Sequence, residues 1–409
     1  MNNIDLFTMA LGLTSPWSVS KAEFLTNNSN EKELHLWISF ESGFKFTCPD
    51  GSTSSAYDTL DKTWRHLNFF QHRCYIHCHV ARVKYGNHKI CMVEVPWAHP
   101  NSGFTLLFEA YTMLLIEEEM PVSSVSRTIK ETSPRIWRVF RHWVNKAYKK
   151  ENWASVKRIG VDETSSKRGH KYITQFVDLD RRKTLFVTKG KGAETFDEFK
   201  DVLEKRGGKV SNIKLVSMDM SIAFISGYLN CFPKAEVVFD KFHIVQHLNK
   251  AMDQVRRLEH YNNSLLKGER YTLLYRSLNL PKNKIEKLNK ILVSYPLIGQ
   301  AYGYKESFMD TFSIKDPEQA KGYISFWCDQ VMETELTPFK KFVKLIKAHW
   351  FGITSYFDRG VSNGILEGLN SKIQLAKRRA RGYTNIENFI SMIYFITGKL
   401  KLDYPHDSL

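Results

Sequence analysis

Six cysteines in 409 residues are too few for a disulfide-held secreted scaffold. No run of about 18 consecutive apolar residues occurs, so no membrane-spanning segment is expected. The opening stretch, MNNIDLFTMALGLTSPW, lacks a basic start leading into an apolar run, so no signal peptide is expected either. Internal repeats and low-complexity tracts are missing as well. Acid is the scarcer charge, with 43 Asp and Glu against 59 Lys and Arg, a formal net charge of +16. These absences exclude secreted, collagenous and integral-membrane classes and leave a soluble, basic, multidomain protein in a reducing cytoplasm.

Hydrophobic residues make up 43% and charged residues 25%, an ordinary globular balance, and the length suits two or three domains. The basic excess favours a polyanionic partner, nucleic acid before membrane, because Lys and Arg release the counterions condensed on phosphates. The charge is concentrated. Residues 127–150 hold eight Lys and Arg against the single acid Glu131, and residues 368–383 hold five against none.

The first hundred residues read as short strands and turns. Leu34–Phe40 and Phe44–Thr47 are apolar-rich, Cys48–Ser55 is turn-rich, and Cys74–Lys84 alternates at period two. Phe104–Glu119, Val122–Lys130 and Pro134–Tyr148 then read as three helices, the last basic and aromatic, in a helix-turn-helix pattern. Arg135, Arg138 and Arg141 on that last helix are its candidate DNA contacts.

From Arg158 the texture changes. Arg158–Asp162, Tyr172–Leu179 and Thr184–Thr188 read as strands in a meander. Helix Ala193–Arg206, strand Ile213–Asp219, helix Ser221–Cys231 and strand Ala235–Asp240 follow, which predicts a mixed sheet with helices on its faces. Residues 242–350 carry helical periodicity punctuated by Pro281, Pro296, Pro317 and Pro338, and Asn363–Arg379 is a further amphipathic helix.

Acids fall at telling places in this pattern. Asp162 ends the first strand, Asp219 ends the fourth, and Glu367 lies in the first turns of the late helix. Strands one and four are expected to be neighbours, and the helix can pack across them. Three converging carboxylates ask for divalent metal, and hard oxygen donors suit Mg²⁺ or Mn²⁺. Two such ions about 4 Å apart can serve an in-line phosphodiester displacement.

The stretches WRHLNFFQHR (Trp64–Arg73), VPWAHPNSGFT (Val95–Thr105), GVDETSSKRGHKY (Gly160–Tyr172), SMDMS (Ser217–Ser221), VVFDKFHIVQHLNKAMDQVR (Val237–Arg256) and SNGILEGLNSKIQLAKRRARGY (Ser362–Tyr383) resemble the DDE transposases of the bacterial ISL3 insertion-sequence family. The resemblance implies a ribonuclease-H-like α/β core interrupted by an all-helical insertion, preceded by a helix-turn-helix and a small β-rich module. The implied boundaries are 1–103 for the β-rich module, 104–152 for the helix-turn-helix, 153–243 and 353–409 for the two parts of the core, and 244–352 for the insertion. It implies Asp162, Asp219 and Glu367 as the catalytic and metal-binding triad, with two Mg²⁺ or Mn²⁺ ions. The implied partners are double-stranded DNA, both transposon ends and target, and a second copy of the chain in a dimer or larger synaptic assembly. The implied setting is the bacterial cytoplasm, in association with the nucleoid.

Other residues take supporting places in this reading. Asp240 and His243, in DKFH after the fifth strand, are expected to fix the loop beneath the site. Glu163 points to the opposite face of the strand from Asp162, and Asp178 and Asp180 are read as turn formers. Asn370 lies three residues after Glu367 and shares its helix face. Lys372, Lys377, Arg378, Arg379 and Arg381 follow, a density of cations suited to holding a phosphodiester.

The family commonly carries a zinc module near the N-terminus. Here CPDG has lost its second cysteine and YGNH keeps only a histidine, so Cys48, His88 and Cys91 are the remaining donors and fall short of a closed tetrahedral site. Zinc is not expected. Two competing readings are a decayed or domesticated transposase that only binds DNA, and a ribonuclease-H-like nuclease.

Overall fold

The computed structural model describes residues 3–405 except 168, 170, 260–265 and 360–363. It divides into two compact units, one of residues 1–147 with the C-terminal segment from Lys401, the other of residues 148–400.

The first unit is built on a six-stranded sheet. A short helix α1 (Asn3–Ala10) precedes β1 (Trp17–Thr26), β2 (Lys32–Phe40), β3 (Lys45–Thr47), β4 (Thr53–Phe69), β5 (His72–Tyr85) and β6 (Lys89–Met92). The order is β1-β2-β5-β4-β3, with β6 on β5, and the β4–β5 hairpin is its longest pairing. Trp64 and Trp97 meet edge to face with centroids 5.6 Å apart, and Trp17 meets Trp97 at 5.1 Å. Both pairs lie in a core that also holds Ile38, Ile76 and Val83.

Three helices follow: α2 (Leu106–Glu117), α3 (Val122–Thr128) and α4 (Ser133–Lys149). Thr105 caps α2 by accepting from the Phe108 N–H. Ile136, Val139, Phe140, Trp143, Val144 and Ala147 form the buried stripe of α4, spaced at i, i+3, i+4 and i+7. The buried Glu109 accepts from Trp143 Nε1–H (2.8 Å) and the Ser102 hydroxyl (2.6 Å), and its ion pair with His99 (3.0 Å) raises the imidazole pKa. The loop before α2 and the third helix are thereby tied to one carboxylate.

The second unit has a five-stranded sheet of β7 (Arg158–Lys167), β8 (Lys171–Asp178), β9 (Lys183–Lys189), β10 (Leu215–Met218) and β11 (Glu236–Phe239), in the order β11-β10-β7-β8-β9. β7, β8 and β9 form an antiparallel meander, while β10 and β11 run parallel to β7. α5 (Glu194–Lys205) and α6 (Ile222–Cys231) make the crossovers. α7 (Lys241–Glu259), α8 (Arg270–Leu274), α9 (Lys282–Ser294), α10 (Pro296–Asp310), α11 (Pro317–Met332), α12 (Thr337–Ala348) and α13 (Trp350–Arg359) follow, then α14 (Gly364–Arg379) and α15 (Ile386–Thr397).

One apolar core runs without a break from Val161, Phe176 and Met218 on the sheet through Ile244 and Leu248 to Phe308, Trp327 and Val343 among the helices. The helices after β11 thus share the sheet's core on one face. On the other face Leu366 and Leu369 of α14 pack on Val177, Leu179, Leu215 and Val238.

One element differs from expectation. Asp162 does not end its strand, because β7 continues to Lys167 as a hairpin arm against β8, with Asp162 opposite Gln175 and Lys167 opposite Lys171. Only the parallel ladder to β10 stops before it, at Gly160. The sequence also places the start of the late helix at Asn363, which with Ser362 lies outside the described residues, as do Arg168 and His170 of the GVDETSSKRGHKY stretch.

Candidate carboxylate site

The last pair of the parallel ladder joins Ser217 to Gly160, and Asp219 and Asp162 each stand two residues beyond it. That puts their backbones roughly one strand spacing, about 5 Å, apart. Asp219 lies in the turn into α6, where its carboxylate accepts from the Ser221 N–H (2.9 Å) and Ser221 in turn caps the helix. Asp162 accepts from the Glu163 N–H (2.8 Å) and from the Asn370 side-chain amide.

The hydrogen bond with Asn370 belongs to a longer seam between α14 and β7. Leu366 packs on Gly160, where an added Cβ would stand 3.0 Å from Leu366 Cδ2. Asn370 meets Asp162, and Lys377 Nζ donates to the Ser165 carbonyl (2.6 Å). From Leu366 to Lys377 a helix rises about 16 Å, and from Gly160 to Ser165 a strand advances about 16 Å. Equal advance keeps helix and strand in step along their length, and the missing side chain at Gly160 lets them approach.

Burial pushes the Asp162 carboxyl up to about 6. The Glu163 N–H, the nearby His243 and the Asn370 amide pull it down, while Asp240 pushes it further up. Glu163 is raised by burial, opposed by Lys191, with Asp219 adding to the rise. Asp240 opens α7 by accepting from the Phe242 N–H (2.8 Å), and His243 stands 3.9 Å from its carboxylate. Asp162, Glu163, Asp219, Asp240 and His243 therefore share one electrostatic neighbourhood at the ends of the parallel strands.

Glu367 is placed differently. On α14 the buried residues are Leu366, Leu369 and Ile373, and Glu367 lies outside that stripe, exposed to solvent. Among the described residues no three His, Cys, Asp or Glu side chains stand close enough together to hold one metal ion. The structure sets the two aspartates at the end of the same parallel ladder and gives α14's bond to Asp162 to Asn370, one turn along from Glu367. Charge explains this arrangement. A neutral amide satisfies a buried carboxylate, whereas a third acid pressed against it without a cation would be repelled. The donor set is nonetheless all carboxylate oxygen, the chemistry Mg²⁺ and Mn²⁺ prefer, and the burial that lifts Asp162 is a penalty a cation would relieve.

Two histidines escaped the sequence reading. His247 and His349 both have imidazole pKa values lowered by burial, and His247 also feels His243, His349 and Asp219. The spacing His243-x-x-x-His247 was a signal that one helix face carries both rings.

The basic candidates divide by their attachments. Arg135 is held by Glu131 (2.6 Å) and lies over the Phe104 ring, and Arg141 Nε donates to the Trp137 carbonyl (3.4 Å). Arg138 is exposed on the outer face of α4. Lys372, Arg378, Arg379 and Arg381 are exposed on or just after α14, with Arg381 at φ 56° in the turn, while Lys377 is fastened to β7. Asp178 accepts from the N–H groups of Asp180 and Arg181, and Asp180 pairs with Arg158.

In the first unit Cys48 is buried and Cys91 half-buried. Burial raises the Cys91 thiol, with Cys48 and Asp50 close enough to add to the effect. His88 occupies the turn before β6 at φ 59°. Cys74 and Cys78 are buried thiols pushed up to about 12.

Comparison with known proteins agrees with this division. A family model described as the helix-turn-helix domain of transposase family ISL3 matches residues 93–144. A second, the ISL3-type DDE model described as a transposase, matches residues 159–393. The transposase for insertion sequence element IS1557 of Mycobacterium tuberculosis is 26% identical over 431 residues, covering 96% of this chain and 95% of the relative. The transposase for insertion sequence element IS1001 of Bordetella parapertussis is 26% identical over 250 residues, covering 59% of this chain and 61% of the relative.

Proposed function

The chain belongs to the ISL3 family of transposases, and from that premise we propose that it cuts and joins the DNA ends of its own insertion sequence at Asp162, Asp219 and Glu367. The observation that carries the reading is that Asp162 and Asp219 each stand two residues beyond the last pair of the parallel ladder, with α14 laid along β7 beside Asp162. The strand order, a three-stranded meander followed by two parallel strands on its inner edge, supports a ribonuclease-H-like core. In this reading residues 104–152 grip the terminal repeat. Residues 153–243 and 353–409 form the core, and 244–352 are a helical insertion between the second and third acids. Two ends must be joined, so the active form is a dimer or larger assembly.

Asp162 and Asp219, with Glu367 from α14, would hold the divalent ions. When bound, these ions supply Lewis-acid stabilisation of the attacking and leaving oxygens. The chain's own residues prepare that chemistry. Asn370 and the Glu163 N–H fix the Asp162 carboxylate in one rotamer. The Ser221 N–H does the same for Asp219. Asp240 and His243 anchor the start of α7 at the same strand ends. Lys372, Arg378, Arg379 and Arg381 offer charge to the phosphodiester along α14.

The test is Mg²⁺- or Mn²⁺-dependent nicking of a labelled duplex carrying the element's ends, with Asp162→Ala, Asp219→Ala and Glu367→Ala beside the native chain. Each substitution is expected to abolish cutting while leaving DNA binding intact. Cutting that persists in all three variants would end the assignment. Binding without any cutting by the native chain would favour a transposase that has lost its chemistry.

A further inference from the structure

In the sheet of the second unit Asp162, Glu163, Asp219 and Asp240 stand where the parallel strands end. The opposite edge is formed by residues 149–158, 178–183, 205–214 and 232–236, which together carry twelve Lys and Arg against four Asp and Glu. Backbone hydrogen bonds hold these segments side by side: the Trp153 N–H donates to the Arg206 carbonyl (2.9 Å), Lys214 to Lys157 (2.7 Å), Leu179 to Arg158 (3.0 Å) and Glu236 to Lys214 (2.9 Å). The edge is therefore a built surface and not a set of independent loops.

Several of its cations are internally engaged. Lys183 pairs with Glu151 and Arg158 with Asp180. Arg206 donates to the Tyr148 carbonyl with its guanidinium 4.5 Å over the Tyr148 ring. Five others, Lys149, Lys157, Arg182, Lys205 and Lys209, are exposed and make no ion pair among the described residues. Arg182 sits exposed at the tip of the β8–β9 turn with φ 53°. Lys149, Lys205 and Arg206 line a cavity of about 690 Å³ with Tyr148 and Phe186, room enough for a phosphodiester and its hydration.

We propose that this edge is a second DNA-binding track, which holds the phosphate backbone of a duplex other than the one presented to the carboxylates. The inference rests on the reading of the chain as a DNA-joining enzyme and adds to it a place for a duplex that the assembly holds while another lies at the carboxylates. α5 alone spans about 18 Å between the two ends of the sheet. A straight duplex lying across the carboxylates does not reach the far edge. The edge meets phosphates and not base edges, so binding there is independent of sequence and falls steeply with salt.

The experiment is made in EDTA, where cutting plays no part and failure of the carboxylate assignment cannot affect the outcome. The native chain, a variant with Lys149, Lys157, Arg182, Lys205 and Lys209 all changed to Gln, and a control with Lys267, Lys282, Lys290, Lys341 and Lys344 changed to Gln are titrated with a 30-base-pair duplex of arbitrary sequence. The two variants give up the same charge. Two duplexes per chain are expected for the native protein and the control, and one for the edge variant. The log-log salt slope of binding to the edge variant should be shallower by about 0.9 for each phosphate that is no longer neutralised. One duplex per native chain, or equal weakening in edge variant and control, would overturn the proposal.

Discussion

Asp162 titrates where its environment leaves it. Burial lifts its folded value to about 6 against an ordinary 3.8. Between those values the native state holds a proton that the unfolded chain has released, so stability falls as pH rises through this window and stays lowered above it. Asp162→Asn removes the penalty. In EDTA at pH 7.5 the variant should be more stable than the native chain by up to about 3 kcal/mol, the gap closing near pH 4. Denaturant melts at the two pH values measure it, and a variant less stable at pH 7.5 would contradict the electrostatic account. Asn370 acts on the same carboxylate from the other side. Asn370→Ala withdraws a donor that favours the charged form, so the acidic limb of the nicking profile should move to higher pH. The rate should fall about tenfold, within the range typical when a partner of a metal ligand is removed. An unchanged pH profile would leave Asn370 a packing residue.

At the scale of elements, the α14–β7 seam decides where Glu367 and the basic turn after it come to lie. It depends on Gly160, where any side chain would press on Leu179 and Leu366 at about 3 Å. Gly160→Val should cost about 1–3 kcal/mol through overpacking. It should also separate cutting from binding: α14 is displaced while the first unit, with its own core, still holds DNA. Gel shift and nicking on the same preparation check this, and full nicking activity in the variant would refute it. Other elements of the fold were legible in the sequence because each buries one clean stripe. β8 buries six of its eight residues in succession, and α4 and α5 are amphipathic along their length. β1 and β4 were not legible. Their outer faces meet water, so the alternation is blurred by residues such as Lys21, Glu23, Asp58 and Lys62. The extension of β7 past Asp162 was hidden for a related reason, since DETSSK contains no apolar residue and pairs only because the hairpin to β8 continues. Within the site, Asp219 at the end of its strand and the Glu367–Asn370 spacing could be read from one dimension, whereas Asp162 was misplaced at a strand end. The approach of His349 to His247 could not, because it depends on how α12 and α13 fold back over α7.

Across the whole molecule, a net charge of +16 surrounds the acids Asp162, Glu163, Asp219 and Asp240 at one end of the sheet. A protein so basic repels free cations at long range, so any stabilisation by millimolar Mg²⁺ must come from a local cluster able to overcome that field. Binding to the folded state alone stabilises by mass action, about 1.4 kcal/mol at ten times the dissociation constant. For a unit of this size that raises Tm by about 3 °C. Metal ligands must be ionised, so with Asp162 titrating near 6 the gain should be present at pH 7.5 and absent at pH 5. Thermal melts with Mg²⁺ or EDTA at both pH values test this on the native chain and on an Asp162→Asn, Asp219→Asn double variant. The double variant should melt at the same temperature with and without the ion. An equal rise in both proteins would place the bound Mg²⁺ somewhere other than these aspartates, and would remove the reason for grouping them as one centre.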